Sequence, residues 1–172
     1  MPSPNATPTP ITPPRVPLVD PRTNLIDRAW YLFFLSLNNI ASAVVDAGAD
    51  GLALINTVLG MVINLETMKP HLGGKTGGLS GPAIRPVAVR AIYEVHSAMP
   101  HIPILGMGGV ASGRDALELI LAGASGISIG TASFGDPTAI PRIQRELSTL
   151  LQAKGFTSVK DAVGYAHREV AS

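Results

Sequence analysis

The sequence predicts an α/β fold in which short parallel strands alternate with helices. Three apolar runs of strand length lie at 52–55, 102–105 and 126–129, and helical patterns separate them. The turns before two of these runs repeat, as AGADG at 47–51 and AGASG at 122–126, and such a turn leads a helix into a parallel strand. This alternation is typical of a parallel sheet or a βα barrel. A complete eight-stranded barrel needs about 250 residues, so a chain of 172 has room for about half.

Composition excludes several kinds of function. With 46% hydrophobic and 15% charged residues, the chain is suited to one domain with a real core. A net charge of +1 gives no electrostatic case for binding nucleic acid or an anionic membrane. The absence of cysteine excludes disulfides, zinc–thiolate sites and iron–sulfur ligation by this chain. The chain shows no signal-peptide pattern, and its apolar run at 29–37 is too short to span a bilayer, so we expect a soluble cytoplasmic protein.

Two N-terminal segments precede the α/β region. Residues 1–24 are rich in Pro, Thr, Ser and Asn, a composition that predicts a disordered or extended segment. Residues 25–39 hold the single tryptophan and predict a short aromatic helix, which Asp27 would cap. The remaining residues, 40–172, form the predicted barrel-like domain.

The elements of the α/β region follow in order. A helix from residue 40 ends at Gly48, and a long glycine-containing connection follows the first strand. Ser80 is expected to cap the next helix, with Pro82 in its first turn, where the missing N–H costs nothing. The apolar stripe of that helix would comprise Ile84, Val87, Ala88, Ala91, Ile92 and Val95.

The second and third strands are each followed by helices. Ser112 is expected to cap one of them, with Asp115 completing a near capping box, and Gly123 to end it. Residues 137–153 and 159–170 predict two further helices, with Gly164 inside the last one.

Glycine-rich turns carry the main functional signal. Residues 106–109 (GMGG) and Gly130-Thr131 follow two strands, and a third run, 75–84 (KTGGLSGPAI), leads into a helix. Main-chain N–H groups at the ends of neighbouring parallel strands suit a phosphate, which barrels commonly hold between the loops after their last two strands. Each glycine alone is better explained by a tight turn. The pair at this spacing favours a phosphorylated cofactor.

Other candidate residues give weaker signals. Asn56 and Thr57 end the first strand, where an amide could bind a planar heterocycle or could simply cap the strand. Residues 106–111 fit a degenerate dinucleotide fingerprint, but the next strand lacks the ribose-binding acid, so that interpretation is rejected. Lys75 could contact an anion, although solvated lysines are commoner. The four histidines lack metal-ligand spacing and predict surface or capping roles.

Residues 40–172 resemble the C-terminal part of a dihydroorotate dehydrogenase, specifically the NAD-linked class 1B catalytic subunit. The run TGGLSGPAI at 76–84 is highly specific, and further matching segments are 47–51, 54–57, 60–61, 104–109, 122–125 and 130–132. The resemblance implies the C-terminal half of an FMN-containing TIM (βα)8 barrel. It also implies oxidation of dihydroorotate to orotate in pyrimidine (UMP) biosynthesis, and an iron–sulfur flavoprotein electron-transfer subunit as partner. The open sheet edges of a half-barrel separately predict a homo-oligomer.

The resemblance also implies roles for individual residues. Ile55 and Gly81 would line the flavin. The FMN phosphate would be held by Gly108, Gly109, Gly130 and Thr131. Asn56 and Thr57 would bind dihydroorotate or orotate.

Several features of the family have no counterpart in this sequence. The first half of the barrel, with the loop that carries the catalytic base, is absent, and the chain has neither a cysteine nor a lysine before Lys69. No catalytic residue is therefore assigned. Residues 1–39 lie outside the resemblance and look more like the start of a small phage structural protein. These departures predict a truncated or fused form with little or no turnover of its own.

Three functions stay open at this point. The first is an enzyme-derived half-barrel that keeps cofactor and substrate contacts but lacks the base. The second is a non-catalytic FMN- or phosphate-binding half-barrel that pairs through its open sheet edges. The third is an interaction module led by residues 25–39. Other phosphate-binding barrels share the Gly-Gly and Gly-Thr pair but do not carry the run at 76–84.

Overall fold

The structure is a computed structural model that describes residues 28–168, with side chains from residue 37 onward. The chain divides into two compact units after residue 47. In the first unit the described part is one continuous helix, α1 (Arg28–Asp46), where the sequence suggested an aromatic segment followed by a second helix. Asp27 and the segment 1–24 lie outside the described residues. None of the described helices is long and apolar enough to cross a membrane.

The second unit contains the α/β region. Its elements in chain order are β1 (Leu52–Leu54), β2 (Val58–Gly60), β3 (Ile63–Asn64), β4 (Lys69–Pro70), β5 (Gly77–Leu79), a 3-10 turn (Pro82–Ile84), α2 (Arg85–Ala98), β6 (Ile104–Met107), α3 (Gly113–Ala122), β7 (Gly126–Ser128), α4 (Ala132–Gly135), α5 (Ala139–Ala153), α6 (Val159–Ala162) and a second 3-10 turn (Tyr165–His167).

Three of the strands form a parallel sheet in the order β1-β6-β7, which confirms the predicted α/β architecture. Leu105 in the central strand pairs with Ala53 on one side and Gly126 on the other. Ile104 and Gly106 are buried, whereas Leu105 points to the opposite face and is 43% exposed. The sheet is therefore covered by helices on one face, as expected of strands in part of a barrel.

Glycines at the two repeated turns have the backbone conformation that the sequence predicted. Gly48 and Gly123 both have left-handed φ angles, +100° and +129°. Gly123 is also confined by packing, since a Cβ there would be 2.3 Å from the ring of His96. A side chain at Gly123 would thus meet both backbone strain and a steric clash.

The long connection after β1 differs from the prediction. It folds into two short antiparallel ladders, β2 with β5 and β3 with β4, rather than an irregular loop. Strands of two or three residues are too short to show alternation in the sequence, and their pairing joins residues that are distant along the chain.

The start of the helix after this connection also differs. Ser80 does not cap it; Gly81, with φ +84°, precedes a 3-10 turn that starts at Pro82 and continues into α2. Pro82 lies in the first turn, as predicted. Five of the six predicted stripe residues are buried or nearly so, whereas Val87 is 50% exposed.

The helix after β6 starts as predicted. Ser112 caps α3, and its Oγ accepts a hydrogen bond from the amide of Asp115 at 3.3 Å. The Asp115 carboxylate accepts hydrogen bonds from the Ser112 hydroxyl and from the amide of Ala111. The predicted capping interaction between Ser112 and Asp115 thus also includes the amide of the preceding residue, Ala111.

The C-terminal part is more broken than the periodicity indicated. The helix expected at 137–153 begins at Ala139, and the short helix α4 precedes it. The helix expected at 159–170 ends at Ala162 because Gly164 adopts a left-handed φ of +64°. The Gly164 amide donates to the carbonyl oxygen of Ile120 at 3.0 Å, which joins this segment to α3.

Candidate functional site

A cleft of about 240 Å³ lies at the carboxyl ends of the three parallel strands. Its walls come from the segments that follow β1, β6 and β7 and from the turn that starts α2. Carboxyl ends of parallel strands are where α/β folds place their ligands. Every residue that the sequence singled out for cofactor or substrate lines this cleft: Ile55, Asn56, Thr57, Gly81, Gly108, Gly109, Gly130 and Thr131.

Polar side chains enter the cleft from the end of β1. The Asn56 Oδ1 atom accepts a hydrogen bond from the amide of Thr57 at 2.7 Å, so this oxygen serves the local backbone turn. The Asn56 side-chain NH2 group donates to no other described residue, and Asn56 is exposed. Thr57 packs against Gly78, where a Cβ would be 2.3 Å from the threonine hydroxyl. The second glycine of the 76–84 run thus makes room for Thr57.

The turn after β6 is built from two glycines in left-handed conformations. Gly108 and Gly109 have φ angles of +121° and +75°. A Cβ on Gly109 would lie 2.8 Å from the carbonyl oxygen of Gly81 and equally close to the Cβ of Arg85. The turn therefore packs directly on the start of α2, and no side chain stands between its backbone and the cleft.

The turn after β7 completes the cleft. Gly130 and Thr131 are exposed, and the hydroxyl of Ser133 donates to the Gly130 carbonyl oxygen at 2.6 Å. The Thr131 methyl lies 4.0 Å from the position that a Cβ on Gly81 would take. The three glycine-rich segments thus converge, as the sequence analysis expected of a phosphate site.

The donor groups of the cleft suit an anion. Among the described residues, the amides of Gly109, Gly130 and Thr131 donate no intramolecular hydrogen bond. The hydroxyl of Thr131 adds a further donor, and none of the described residues that line the cleft is an aspartate or glutamate. Unpaired N–H groups with no carboxylate nearby favour a phosphoryl group over a cation. The residues present therefore fit a phosphorylated cofactor.

An ion pair outside the cleft supports the turn after β6. The guanidinium of Arg85, at the start of α2, pairs with the carboxylate of Asp115. The second oxygen of that carboxylate accepts from the amide of Ala111 at 3.1 Å. Arg85 Nε also lies 2.8 Å from Glu118 Oε2, although the alignment is not that of a hydrogen bond. The ion pair thus ties the glycine turn to α2.

A second polar cluster links the segments that follow the two turns. Arg142 of α5 donates to the carbonyl oxygen of Ala111 and to the carboxylates of Asp136 and Glu146. Glu146 in turn accepts from the amide of Gly113 at 2.7 Å. Hydrogen bonds from Thr138 and then from Arg142 lower the pKa of Asp136, and those from Gly113 and Arg142 lower the pKa of Glu146.

Of the residues that support the two turns, Asp115 was expected as the partner of the Ser112 cap, whereas Arg85, Arg142 and Glu146 were not predicted from the sequence. Arg142 and Glu146 stand four positions apart on one helix, a spacing that indicates a pair but not its role. Conversely, Lys75 is exposed and lies outside the cleft. The four histidines also lie outside the cleft. The described part of the cleft wall contains no ionisable side chain. The site can bind and orient a ligand, but these residues offer no general acid or base.

Comparison with known proteins gives consistent matches. Residues 34–151 match the family model "Dihydroorotate dehydrogenase". That match begins six positions before residue 40, where sequence reasoning started the resemblance. The chain is 54% identical over 125 residues to the dihydroorotate dehydrogenase B (NAD(+)) catalytic subunit of Bacillus pumilus, covering 73% of this chain and 40% of that protein.

Further relatives agree. The corresponding subunit of Bacillus cytotoxicus is 50% identical over 131 residues, which is 76% of this chain and 42% of that protein. The crystal structure of DHODH from Eimeria tenella in complex with ferulenol superposes with a TM-score of 0.67 at 28% identity, covering 79% of this chain and 36% of that chain. This chain spans about two fifths of the length of the curated relatives it matches.

Proposed function

The chain belongs to the dihydroorotate dehydrogenase family, and on this premise we propose that it carries the FMN-binding and substrate-binding part of a site that oxidises dihydroorotate to orotate in pyrimidine biosynthesis. The observation that carries the proposal is the convergence of three glycine-rich segments on one cleft, whose described lining contains no carboxylate. The C-terminal half of a TIM barrel is the corresponding architecture.

The FMN phosphate is assigned to the two turns. The amides of Gly108, Gly109, Gly130 and Thr131 would surround its oxygens, and the Thr131 hydroxyl would donate one further hydrogen bond. Ile55 and Gly81 stand on the wall that continues from these turns toward β1. That wall is half-buried and apolar at Ile55, which suits the edge of a flat aromatic ring system.

The substrate is assigned to the end of β1. Dihydroorotate and orotate carry imide and carboxylate oxygens, which accept hydrogen bonds. The free NH2 group of Asn56 is a donor that lines the cleft. The hydroxyl of Thr57 lines it as well and donates to Asn56 Oδ1 at 3.5 Å, a long hydrogen bond that it would exchange for one to the substrate. Because Oδ1 of Asn56 is held by the Thr57 amide, the NH2 group has a fixed direction.

When bound, FMN would supply a hydride acceptor for carbon 6 of dihydroorotate, and the oxidation would also need a base for the proton at carbon 5. The described cleft wall offers no ionisable side chain, and the sequence has no cysteine. The described residues would thus bind and orient both ligands without moving that proton. Loss of acid–base catalysis typically slows a reaction by about 10²- to 10⁴-fold. We therefore expect little or no turnover from this chain on its own.

A second function is favoured by the same observation. A cleft that binds FMN phosphate without an acid or base is equally suited to a non-catalytic flavin- or phosphate-binding half-barrel. An interaction role led by residues 25–39 is a third alternative, and deletion of that segment would impair partner capture without changing flavin uptake.

Partners are part of the proposal. The relatives from Bacillus are named as catalytic subunits of an NAD(+) enzyme, and we propose an iron–sulfur flavoprotein subunit as the electron acceptor of this chain. β1 and β7 are the outer strands of the described three-stranded sheet, and outer strands invite pairing, so we also propose self-association. A cytoplasmic location completes the proposal.

Flavin binding and dihydroorotate-dependent dye reduction test the proposal on the purified full chain. We expect the visible absorption of flavin after reconstitution with FMN, binding of orotate, and dye reduction far below that of intact enzymes. Binding of FMN without any binding of orotate would favour the non-catalytic alternative. Failure to bind FMN would remove the proposal.

A further inference from the structure

One side chain bonds to the segments that follow the two turns of the cleft, at Ala111 and at Asp136. We propose that Arg142 is the positioning residue that sets the spacing of the two turns that would hold the FMN phosphate. The inference rests on the proposed function, because it deepens the description of the same site. Arg142 does not line the cleft itself and would act through the backbone on either side.

The first contact is with the turn after β6. Both terminal nitrogens of Arg142 donate to the carbonyl oxygen of Ala111, each at 3.3 Å. Ala111 lines the cleft and follows Gly108 and Gly109 by two or three positions. The guanidinium therefore limits how far this turn can move away from α5.

The second contact is with the segment after β7. Arg142 Nε donates to Asp136 Oδ2 at 3.1 Å. Asp136 caps the end of α4, a helix of four residues that starts directly after Thr131. The other carboxylate oxygen accepts from the amide and hydroxyl of Thr138, at 2.9 Å and 2.6 Å, so Asp136 is itself held in one orientation.

Glu146 provides a third contact that holds the Arg142 guanidinium in place. Arg142 Nη1 donates to Glu146 Oε1 at 2.9 Å, and Glu146 Oε2 accepts from the amide of Gly113 at 2.7 Å. One arginine therefore faces two carboxylates, so the cluster carries no net positive charge that could attract a phosphate. Its effect on the site must come from geometry rather than from Coulomb attraction.

Geometry at this scale matters for binding. The donors of a binding site have to be held within about 0.5 Å of their productive positions. The two turns belong to different strand–helix units, and the planar fork of arginine can bond a carbonyl and a carboxylate at once. Lysine has one compact charged group and cannot reproduce that arrangement.

The experiment compares FMN with riboflavin, which differs by lacking the phosphate. Flavin fluorescence titrations on the full chain would give both dissociation constants for the wild type, R142K and R142Q. R145K and R145Q are matched controls, because Arg145 lies on the same helix, is exposed, and forms no ion pair among the described residues. Melting temperatures are recorded for each variant, and titrations are run well below them.

A second readout does not need flavin. Titration with inorganic phosphate, followed by the amide resonances of Gly109 and Thr131, reports on the two turns directly. In the wild type both resonances are expected to shift together. In R142K and R142Q the coupled response is expected to weaken.

We expect FMN affinity to fall about 10-fold in both R142K and R142Q. This is the lower end of the loss seen when a residue that orients the direct ligands of a site is removed. Riboflavin affinity and both Arg145 variants would stay within about twofold of the wild type. Wild-type affinity in R142K, or equal losses for FMN and riboflavin, would overturn the positioning role and leave the proposed function intact. If the wild type binds neither FMN nor phosphate, the proposed function fails and the inference falls with it.

Discussion

Gly109 and Gly81 are in direct contact across the candidate phosphate site: a Cβ on Gly109 would be 2.8 Å from the carbonyl oxygen of Gly81. Gly109 also has a φ of +75°, which side chains rarely adopt. The turn after β6 and the start of α2 therefore meet backbone to backbone. Any side chain at Gly109 would push the two segments apart and change the width of the cleft.

Substitution of this glycine is the first test. Gly109→Ala is expected to destabilise the fold by about 1–3 kcal/mol through overpacking and backbone strain, and to weaken FMN binding. Urea unfolding and FMN titration measure the two effects. Gly135→Ala is the matched control, since Gly135 has nothing within 4 Å and lies outside the cleft. Equal behaviour of the two variants would contradict the steric argument.

The ion pair behind the turn gives a second prediction. Asp115→Ala removes the partner of Arg85 and leaves the amide of Ala111 and the hydroxyl of Ser112 without their acceptor. Loss of a capping carboxylate of this kind costs about 1–2 kcal/mol of unfolding free energy. Urea unfolding measures this loss, and the dependence of unfolding free energy on urea concentration is expected to equal that of the wild type.

The control for that measurement is on the same helix. Glu118 also lies close to Arg85, but it is half exposed and is not aligned for a hydrogen bond. Glu118→Gln is therefore expected to change stability by no more than about 0.5 kcal/mol. A larger effect for Glu118 than for Asp115 would mean that net charge, rather than capping, supports the turn.

The third prediction concerns pH and His96. Burial, and then repulsion from His167, lower the pKa of His96 below its usual 6.5. Above pH 6.5 the His96 ring is neutral in both the folded and the unfolded chain, and its contribution to stability is fully present. As pH falls below it, the unfolded chain takes up a proton first, so stability is lost down to the folded pKa. The limit for one proton is about 1.4 kcal/mol per pH unit.

Unfolding free energies measured from about pH 7.5 to about pH 5, the range in which histidines titrate, test whether stability falls as the pH is lowered. His96→Leu is expected to flatten the pH dependence while lowering stability at neutral pH, because Gly123 and Gly164 pack on the ring. His101→Gln, at an exposed site, is expected to keep the wild-type slope. An unchanged slope in His96→Leu would assign the pH dependence to other groups.

The fourth prediction concerns the assigned substrate donor. Asn56→Asp keeps the oxygen that accepts from the Thr57 amide but replaces the free NH2 group with a second carboxylate oxygen. Loss of a hydrogen bond to a charged ligand is worth about 1.5–3 kcal/mol, so orotate affinity should fall by about 10-fold or more, and FMN affinity should change little. Competition titrations with orotate measure the first effect. Unaltered orotate binding would show that Asn56 serves the backbone turn alone.

Local features of the sequence determined much of the fold. The apolar strand runs at 52–55 and 126–129, the repeated AGADG and AGASG turns and the Ser112 cap all depend on residues within a few positions of one another, and the structure has them in place to within one residue. The strand expected at 102–105 was wrong by two residues: it runs from Ile104 to Met107, so only Gly108 and Gly109 of the GMGG run form the turn. The expected Ser80 cap was wrong because the following Gly81 turns the chain and a 3-10 turn begins instead. The expected helix across Gly164 was wrong because the glycine packs against His96, which is distant along the chain.

Half of the residues that line the cleft were selected from the sequence, because glycines at strand ends, Asn56 after a strand and the family run at 76–84 are local signals. The hydrogen bonds that hold the cleft could not. Arg142 and Ala111 are 31 positions apart, and Arg85 and Asp115 are 30 apart. Nothing in either neighbourhood identifies the other partner.

The amino-acid order alone therefore determined the class of fold and the candidate anion-binding turns, because turn chemistry and hydrophobic periodicity act over a few residues. The tertiary structure decided the order β1-β6-β7, the two antiparallel ladders of the connection, and the bridge that Arg142 forms between Ala111 and Asp136. These features depend on contacts between distant segments, whose pairing is chosen by the packing of the whole unit.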